Sequence, residues 1–272
     1  MSFSRAQFAE HGYVILRGVI EESCRRQVQA ECEALVEELA QRLVAEGKVA
    51  RVYAGAPFEQ RMLLLFAQLP DQTPPTFRQE LHRPGFFGLF AHPALLAVAK
   101  EVLGAELRLY PNYSVRPKLP RDPRTEVLWH QDAGYTSGEA QILRMLNVWT
   151  PLVPARVANG CMQFVPGSHR QGVVAHEKDQ HYLRIPDAII QPLQERIVDV
   201  EVDPGDVVFF SNLLFHRGLP NEADHVRWSL DFRYQDATQP TLRPTQGHLL
   251  RSQLHPEEVV RDASHWAQLR FQ

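Results

Sequence analysis

Cysteine is scarce in this chain of 272 residues: Cys24, Cys32 and Cys161 are its only three. Three thiols cannot build a disulfide framework, and they suit a reducing compartment, so a small cross-linked secreted scaffold is excluded. Long apolar runs are missing too. No stretch approaches the ~18 unbroken apolar residues of a membrane span. The opening MSFSRAQFAEHGYV lacks the basic start and apolar run of a secretory signal. Positive charge is not in excess: 29 Lys and Arg against 32 Asp and Glu leave a formal net charge of −3, which recommends neither nucleic acid nor an anionic membrane as a partner. Repeats, linkers and low-complexity segments are absent. What is present is ordinary globular usage, 44% apolar and 22% charged residues, in a length able to bury a substantial core. The expectation is one cytoplasmic domain over 1–272, an enzyme or a binding module with no obligate protein partner.

The chain changes texture near Gly104. Before it the patterns are mostly helical. Residues 5–20 read as a short helix followed by the apolar stretch Tyr13–Leu16, and from Ile20 to about Gly47 Val28, Leu35, Leu39 and Leu43 recur at helical spacing. Cys24 and Cys32 sit inside that helix and read as small buried residues. Further helices are predicted near 58–68, 76–81 and 92–103. After Gly104, short β-type runs follow at 106–116, 126–131, 142–153, 161–165, 197–202, 206–211 and 226–235, separated by Pro, Gly and Asn. Strands so spaced, with little helical pattern between them, predict a sandwich or barrel. The layout is therefore helical support over about 1–104, a β-core over about 105–236 and a C-terminal extension over 237–272. Two connections stand out. Residues 115–126 carry Arg116, Lys118, Arg121 and Arg124 among prolines, and read as a solvated rigid loop or as an anion-attracting rim. Residues 170–196 exceed the ~15 residues of ordinary loops, and read as a lid or as a plain surface helix.

Three short patterns carry chemistry. In Trp129-His130-Gln131-Asp132, residues i and i+2 of a strand project to one side, so His130 and Asp132 can offer a nitrogen and an oxygen to one ion. Further on, Pro204-Gly205-Asp206 turns into an apolar run that delivers His216. Alone, His216 reads as a satisfied core histidine. With His130 and Asp132 it completes two histidines and a carboxylate, the facial set of non-haem Fe(II) oxygenases. In 226–234, Val226, Trp228, Leu230, Phe232 and Tyr234 alternate with Arg227, Ser229, Asp231 and Arg233. The polar face can meet water, or Arg227 can fork onto a carboxylate with Ser229 adding a hydrogen bond. At ~3.3 Å per residue, Arg227 and Arg233 lie roughly 20 Å apart and cannot both hold one small acid; Arg227 is the choice, being nearer His216.

In this order the patterns resemble the phytanoyl-CoA dioxygenase family of iron- and 2-oxoglutarate-dependent oxygenases. The segment Asn159-Gly160 through Pro166-Gly167-Ser168-His169, the Pro204-Gly205-Asp206 turn, and the opening Phe8 to Gly18 add to the likeness, which runs from about residue 5 to 236. The resemblance implies a mainly β fold with flanking α-helices around a double-stranded β-helix (jelly-roll, cupin-like) core. It implies Fe(II) held by His130, Asp132 and His216, with 2-oxoglutarate as cosubstrate anchored by Arg227 and Ser229, and O₂ as oxidant. It places Asn147 and Trp149 on the strand lining the 2-oxoglutarate pocket, although ordinary inner-strand packing explains them equally. Asn112 and Tyr135 are candidate substrate contacts. His169, near His176 and His181, matches a structural turn rather than a second metal site. Halogenating relatives replace the carboxylate by a small residue; Asp132 is present here, which favours hydroxylation or a related oxidation of a small-molecule metabolite. Two other classes share the ligand set: a zinc hydrolase, since two histidines and a carboxylate also satisfy tetrahedral zinc, and a non-catalytic cupin-like binding protein.

Overall fold

A computed structural model of the chain describes residues 3–135, 142–179 and 182–270. In chain order the elements are α1 (Arg5–His11), β1 (Tyr13–Leu16), α2 (Glu22–Ala45), α3 (Phe58–Phe66), α4 (Pro84–Phe90) and α5 (Pro93–Leu103), then β2 (Leu107–Leu109), β3 (Ser114–Lys118), β4 (Val127–His130), β5 (Met145–Pro151) and β6 (Met162–Phe164). They continue as β7 (Glu177–Asp179), β8 (Tyr182–Arg184), α6 (Asp187–Ile190), β9 (Val198–Val200), β10 (Val207–Ser211), β11 (His216–Gly218), β12 (Arg227–Asp236), β13 (His248–Arg251) and α7 (Ala263–Gln268). The larger sheet runs β1-β10-β5-β12-β2-β13, with β3 also paired to β12; the smaller runs β4-β11-β6-β9. Every pairing within these two sheets is antiparallel. This is the jelly-roll core flanked by helices that the sequence implied.

The large sheet is buried on both faces, and its sequences show how. On β12, Trp228, Leu230, Phe232 and Tyr234 are fully buried in one apolar cluster with α2, α4 and α5. The four-residue apolar run Val207–Phe210 splits between faces: Val207 and Phe209 join that helix-side cluster, while Val208 and Phe210 join a second one between the sheets with Trp149, Met162 and Phe164. A continuous apolar strand is what two-sided burial demands. α4, which the sequence pattern did not separate from its surroundings, begins with Pro84 at its first turn. It lies so close to α2 that a Cβ on Gly85 would stand 2.9 Å from the Gln27 carbonyl oxygen. Among the described residues, no single helix is long and apolar enough to cross a membrane.

Three sequence expectations change. Residues 115–118 of the presumed loop 115–126 belong to strand β3, two residues beyond the expected β-type run 106–116, and β3 pairs with β12 from Arg227↔Lys118 to Asp231↔Ser114. That pairing turns Arg116 and Lys118 inward: Lys118 is 3% exposed, and Arg116 forms an ion pair with Asp231. An ion pair holds Arg116 there and backbone carbonyls hold Lys118, so neither residue belongs to a solvated loop. The excursion 170–196 holds the β7–β8 hairpin and the short α6. The described part of the C-terminal extension, 237–270, is integral to the fold: β13 extends the large sheet beside β2, and α7 inserts Trp266, fully buried, against His82, Phe90 and Tyr113.

Candidate active site

Two strands of the smaller sheet bring the histidines together. His130 ends β4 and His216 begins β11, and the two are direct cross-strand partners. Their rings lie 4.0 Å apart, centroid to centroid. Each Nδ1 faces a carbonyl oxygen two residues back, Leu128 at 2.8 Å and Leu214 at 2.9 Å. A carbonyl only accepts, so Nδ1 carries the proton and Nε2 keeps its lone pair for a ligand. Burial and the neighbouring His216 hold His130 down to about 3, against the pull of Asp132. Burial likewise lowers His216. Both imidazoles are neutral near pH 7, as metal binding requires.

Asp132 reaches the same point by a different route from the one strand alternation suggested. β4 stops at His130, and Asp132 opens a single 3₁₀ turn, Asp132–Tyr135. Gln131, fully buried between the two, pins that turn: its side chain donates to the Gly172 and Leu213 carbonyls and accepts from the Val174 amide. Gln131 carries little signal in the sequence beyond being a polar residue framed by two candidate ligands. Asp132 Oδ2 accepts from Asn147 Nδ2 at 2.7 Å and Arg233 Nη2 at 2.8 Å. Oδ1 is turned toward His130, 3.8 Å from its Nε2. Burial alone would raise the Asp132 pKa, but Arg233 and then the two imidazoles outweigh it and hold the carboxyl well below its usual range. One ligand atom from each of His130, Asp132 and His216 lies within 4.8 Å of the other two. Two neutral nitrogens and one carboxylate oxygen, with their remaining atoms tied back, fit a divalent metal with open positions.

Arg227 occupies the other end of the polar face of β12. It is 5% exposed, donates to Ser229 Oγ and to the Gly160 carbonyl at 3.1 Å, and lies 5.4 Å from the centre of the Trp149 ring. Its Nε has no partner, and it forms no ion pair with a described carboxylate. Burial pulls its pKa down to about 10. A buried cation left unpaired costs several kcal/mol, so the position suits the carboxylate of a ligand. Lys118, its cross-strand neighbour, gives Nζ to the carbonyls of Gly218 and Leu219; burial, then the adjacent Arg227, lowers it to about 7.

A cavity of about 350 Å³ connects these groups, with His130, Asp132, His216, Trp149 and Arg227 in its lining. Asn112 and Tyr135 line it too. The Tyr135 hydroxyl exchanges hydrogen bonds with the backbone of Leu183 on the β7–β8 hairpin. Asn147 and Ser229 stand behind the lining, holding Asp132 and Arg227 respectively. Arg233, set aside at the sequence level, buttresses Asp132 at the opposite end of the strand from Arg227. His169 packs on the N-terminal helix with Nε2 at the Ala9 carbonyl, and His176 accepts from the Gln131 amide; neither belongs to a metal-capable group of described residues. His181 lies outside the described residues.

Comparison with known proteins agrees with this geometry. The family model for phytanoyl-CoA dioxygenase matches residues 8–229. The 1-deoxypentalenic acid 11-beta-hydroxylase of Streptomyces arenae is 26% identical over 245 residues, 85% of this chain and 80% of that protein. Among solved structures, the non-heme alpha ketoglutarate dependent carbocyclase SnoK from nogalamycin biosynthesis is 26% identical with a TM-score of 0.58, covering 86% of this chain and 85% of that one. EctD from S. alaskensis, solved with 2-oxoglutarate and 5-hydroxyectoine, shares the fold at a TM-score of 0.62 and 22% identity, covering 86% of this chain and 75% of its own.

Proposed function

This chain belongs to the phytanoyl-CoA dioxygenase family and is an Fe(II)- and 2-oxoglutarate-dependent dioxygenase, and we propose that it hydroxylates an aliphatic carbon of a small-molecule metabolite. The observation that carries the reading is the convergence of His130, Asp132 and His216 in one cavity with a buried, ion-unpaired Arg227. His130, Asp132 and His216 would hold Fe(II), which with 2-oxoglutarate and O₂ would supply the oxidising power to put one oxygen atom into a substrate C–H bond, the other leaving in succinate beside CO₂.

The rest of the task falls to the protein. His130 and His216 are kept neutral and aimed by the Leu128 and Leu214 carbonyls. Asn147 and Arg233 occupy one oxygen of Asp132 and leave the other for the ion. Arg227, oriented by Ser229 and Gly160, pairs with the distal carboxylate of 2-oxoglutarate, and Trp149 lies alongside as a wall. Phe210 packs edge-on to His216, 4.9 Å between ring centres, and with Met162 keeps water from the reacting carbon. Asp132 retains the carboxylate that halogenating relatives lack, which supports hydroxylation. The free, buried thiols of Cys24, Cys32 and Cys161 support a cytoplasmic location, and we read 1–272 as one domain.

Substrate-dependent succinate release under O₂ tests the assignment. Fe(II) should support it and Zn(II) should not; a zinc hydrolase or a binding protein would release none. His216→Ala should abolish coupled turnover, and normal succinate formation in that variant defeats the ligand set. Arg227→Lys keeps the charge and loses the fork, so the KM for 2-oxoglutarate should rise about tenfold or more; an unchanged KM removes Arg227 from the role.

A further inference from the structure

The cavity holds more positive charge than the metal ligands and the oxoacid require. Six arginines line it, Arg78, Arg116, Arg217, Arg227, Arg233 and Arg243, against two carboxylates, Asp132 and Asp231. Four of the six are accounted for. Arg233 pairs with both carboxylates, Arg116 pairs with Asp231, Arg217 lies over Trp129 and donates to Gln163, and Arg227 faces the oxoacid. Arg78 and Arg243 remain. Arg243 spends Nε on the Tyr110 hydroxyl at 2.9 Å and lies 5.5 Å over that ring. Neither it nor Arg78 forms an ion pair with any described carboxylate. Asp231 accepts from Ser114, Arg116 and Arg233, and its single charge is shared among more guanidinium groups than it can balance. The crowding is felt at Arg78, where burial, then Arg116, and behind them Arg233 and Arg243 lower the pKa against the pull of Asp231.

The placement of the two is informative. Arg78 directly follows Phe77, which bridges to Val115 on β3, and Arg243 lies between β12 and β13. Both therefore come from outside the β-core strands that carry the metal ligands; Arg78 enters the cavity beside β3, where Arg116 and Asp231 also stand, and the charge of Arg243 is felt there. Apolar groups, Val127, Tyr135, Met162 and Phe210, supply other parts of the lining. A planar guanidinium pair matches the oxygens of a carboxylate or a phosphate, and a cavity of about 350 Å³ is small among ligand sites of ~300–1,000 Å³.

We infer that Arg78 and Arg243 form an anion subsite that holds the oxyanion head group, carboxylate or phosphate monoester, of a compact and largely apolar substrate, leaving its carbon skeleton over the metal ligands. The inference rests on the oxygenase reading of the same cavity, deepening it by naming the substrate class.

Calorimetric titration under nitrogen, on protein loaded with Fe(II) and saturating 2-oxoglutarate, tests it with three probes: cyclohexanecarboxylate, cyclohexyl phosphate and the neutral cyclohexanecarboxamide. At least one anion should bind tenfold or more tighter than the carboxamide, and which anion wins identifies the head group. Arg78→Gln and Arg243→Gln should each reduce that preference about tenfold, while Arg243→Lys, which keeps the charge, should retain part of it. Equal binding of anion and amide, binding of no probe, or an unchanged preference in both Gln variants overturns the subsite. So does a preference that vanishes as 2-oxoglutarate is raised, because the anion would then be sitting on Arg227. Failure of the oxygenase reading itself would look different: the unsubstituted protein would consume no 2-oxoglutarate with Fe(II) under O₂.

Discussion

One oxygen of Asp132 is available for an ion because Asn147 and Arg233 hold the other. Partners of this kind orient a ligand and tune its basicity, and losing one typically costs ~10–100-fold in metal affinity. Asn147→Ala should weaken Fe(II) binding by about that factor while leaving the KM for 2-oxoglutarate little changed; an unaltered metal affinity would reduce Asn147 to packing. Lys118 offers a prediction in pH. Its folded pKa, lowered to about 7 from an ordinary 10.5 by burial and by Arg227, means that the unfolded chain binds the extra proton between those values. Stability then rises with pH through that window and is penalised fully below it. Lys118→Met should flatten the rise in urea midpoint between pH 7 and 9. An unchanged slope would assign the pH dependence elsewhere. Adding 2-oxoglutarate, whose carboxylate restores an anion near Lys118 and Arg227, should flatten it in the unsubstituted protein too.

At the scale of elements, β12 inverts the usual soluble pattern, with its apolar face against helices and its polar face lining a cavity. The alternation of Val226 to Tyr234 was legible in the sequence; which face met water was not, because period-2 patterning is blind to what covers a strand. The same holds for Arg116 and Lys118, whose setting among prolines suggests a loop until the pairing of β3 with β12 is known. His130 and His216 were legible as residue types, and the cross-strand contact that joins them depends on long-range topology. The turn that delivers Asp132 reads as strand in the sequence, since Gln131 works through three backbone groups on two distant segments. α7 was overlooked: six residues, Ala263–Gln268, give too short a period to register, yet Trp266 is fully buried with Nε1 donating to the Leu81 carbonyl at 2.9 Å. Trp266→Ala should cost about 3–5 kcal/mol, read as a lowered urea midpoint with one cooperative transition. A loss below about 1 kcal/mol would mean that the C-terminal segment is an appendage.

At the scale of the whole molecule, two sheets close around a cavity whose charged groups are arranged in order. The metal ligands sit on β4, β11 and the turn after β4, Arg227 stands at the start of β12, and Arg233 stands near its far end. The helices bury the outer face of the large sheet, and segments before and after the β-core supply Arg78 and Arg243 to the cavity lining. The central claim is that His130, Asp132 and His216 share one ion beside an oxoacid paired to Arg227. The most direct measurement is an anaerobic crystal structure with Fe(II) and 2-oxoglutarate, the ion located by anomalous scattering at the iron edge. The account predicts one iron about 2 Å from His130 Nε2, Asp132 Oδ1 and His216 Nε2, with the distal carboxylate of 2-oxoglutarate on the Arg227 guanidinium. Iron held by other side chains, or an oxoacid lying away from Arg227, would contradict it.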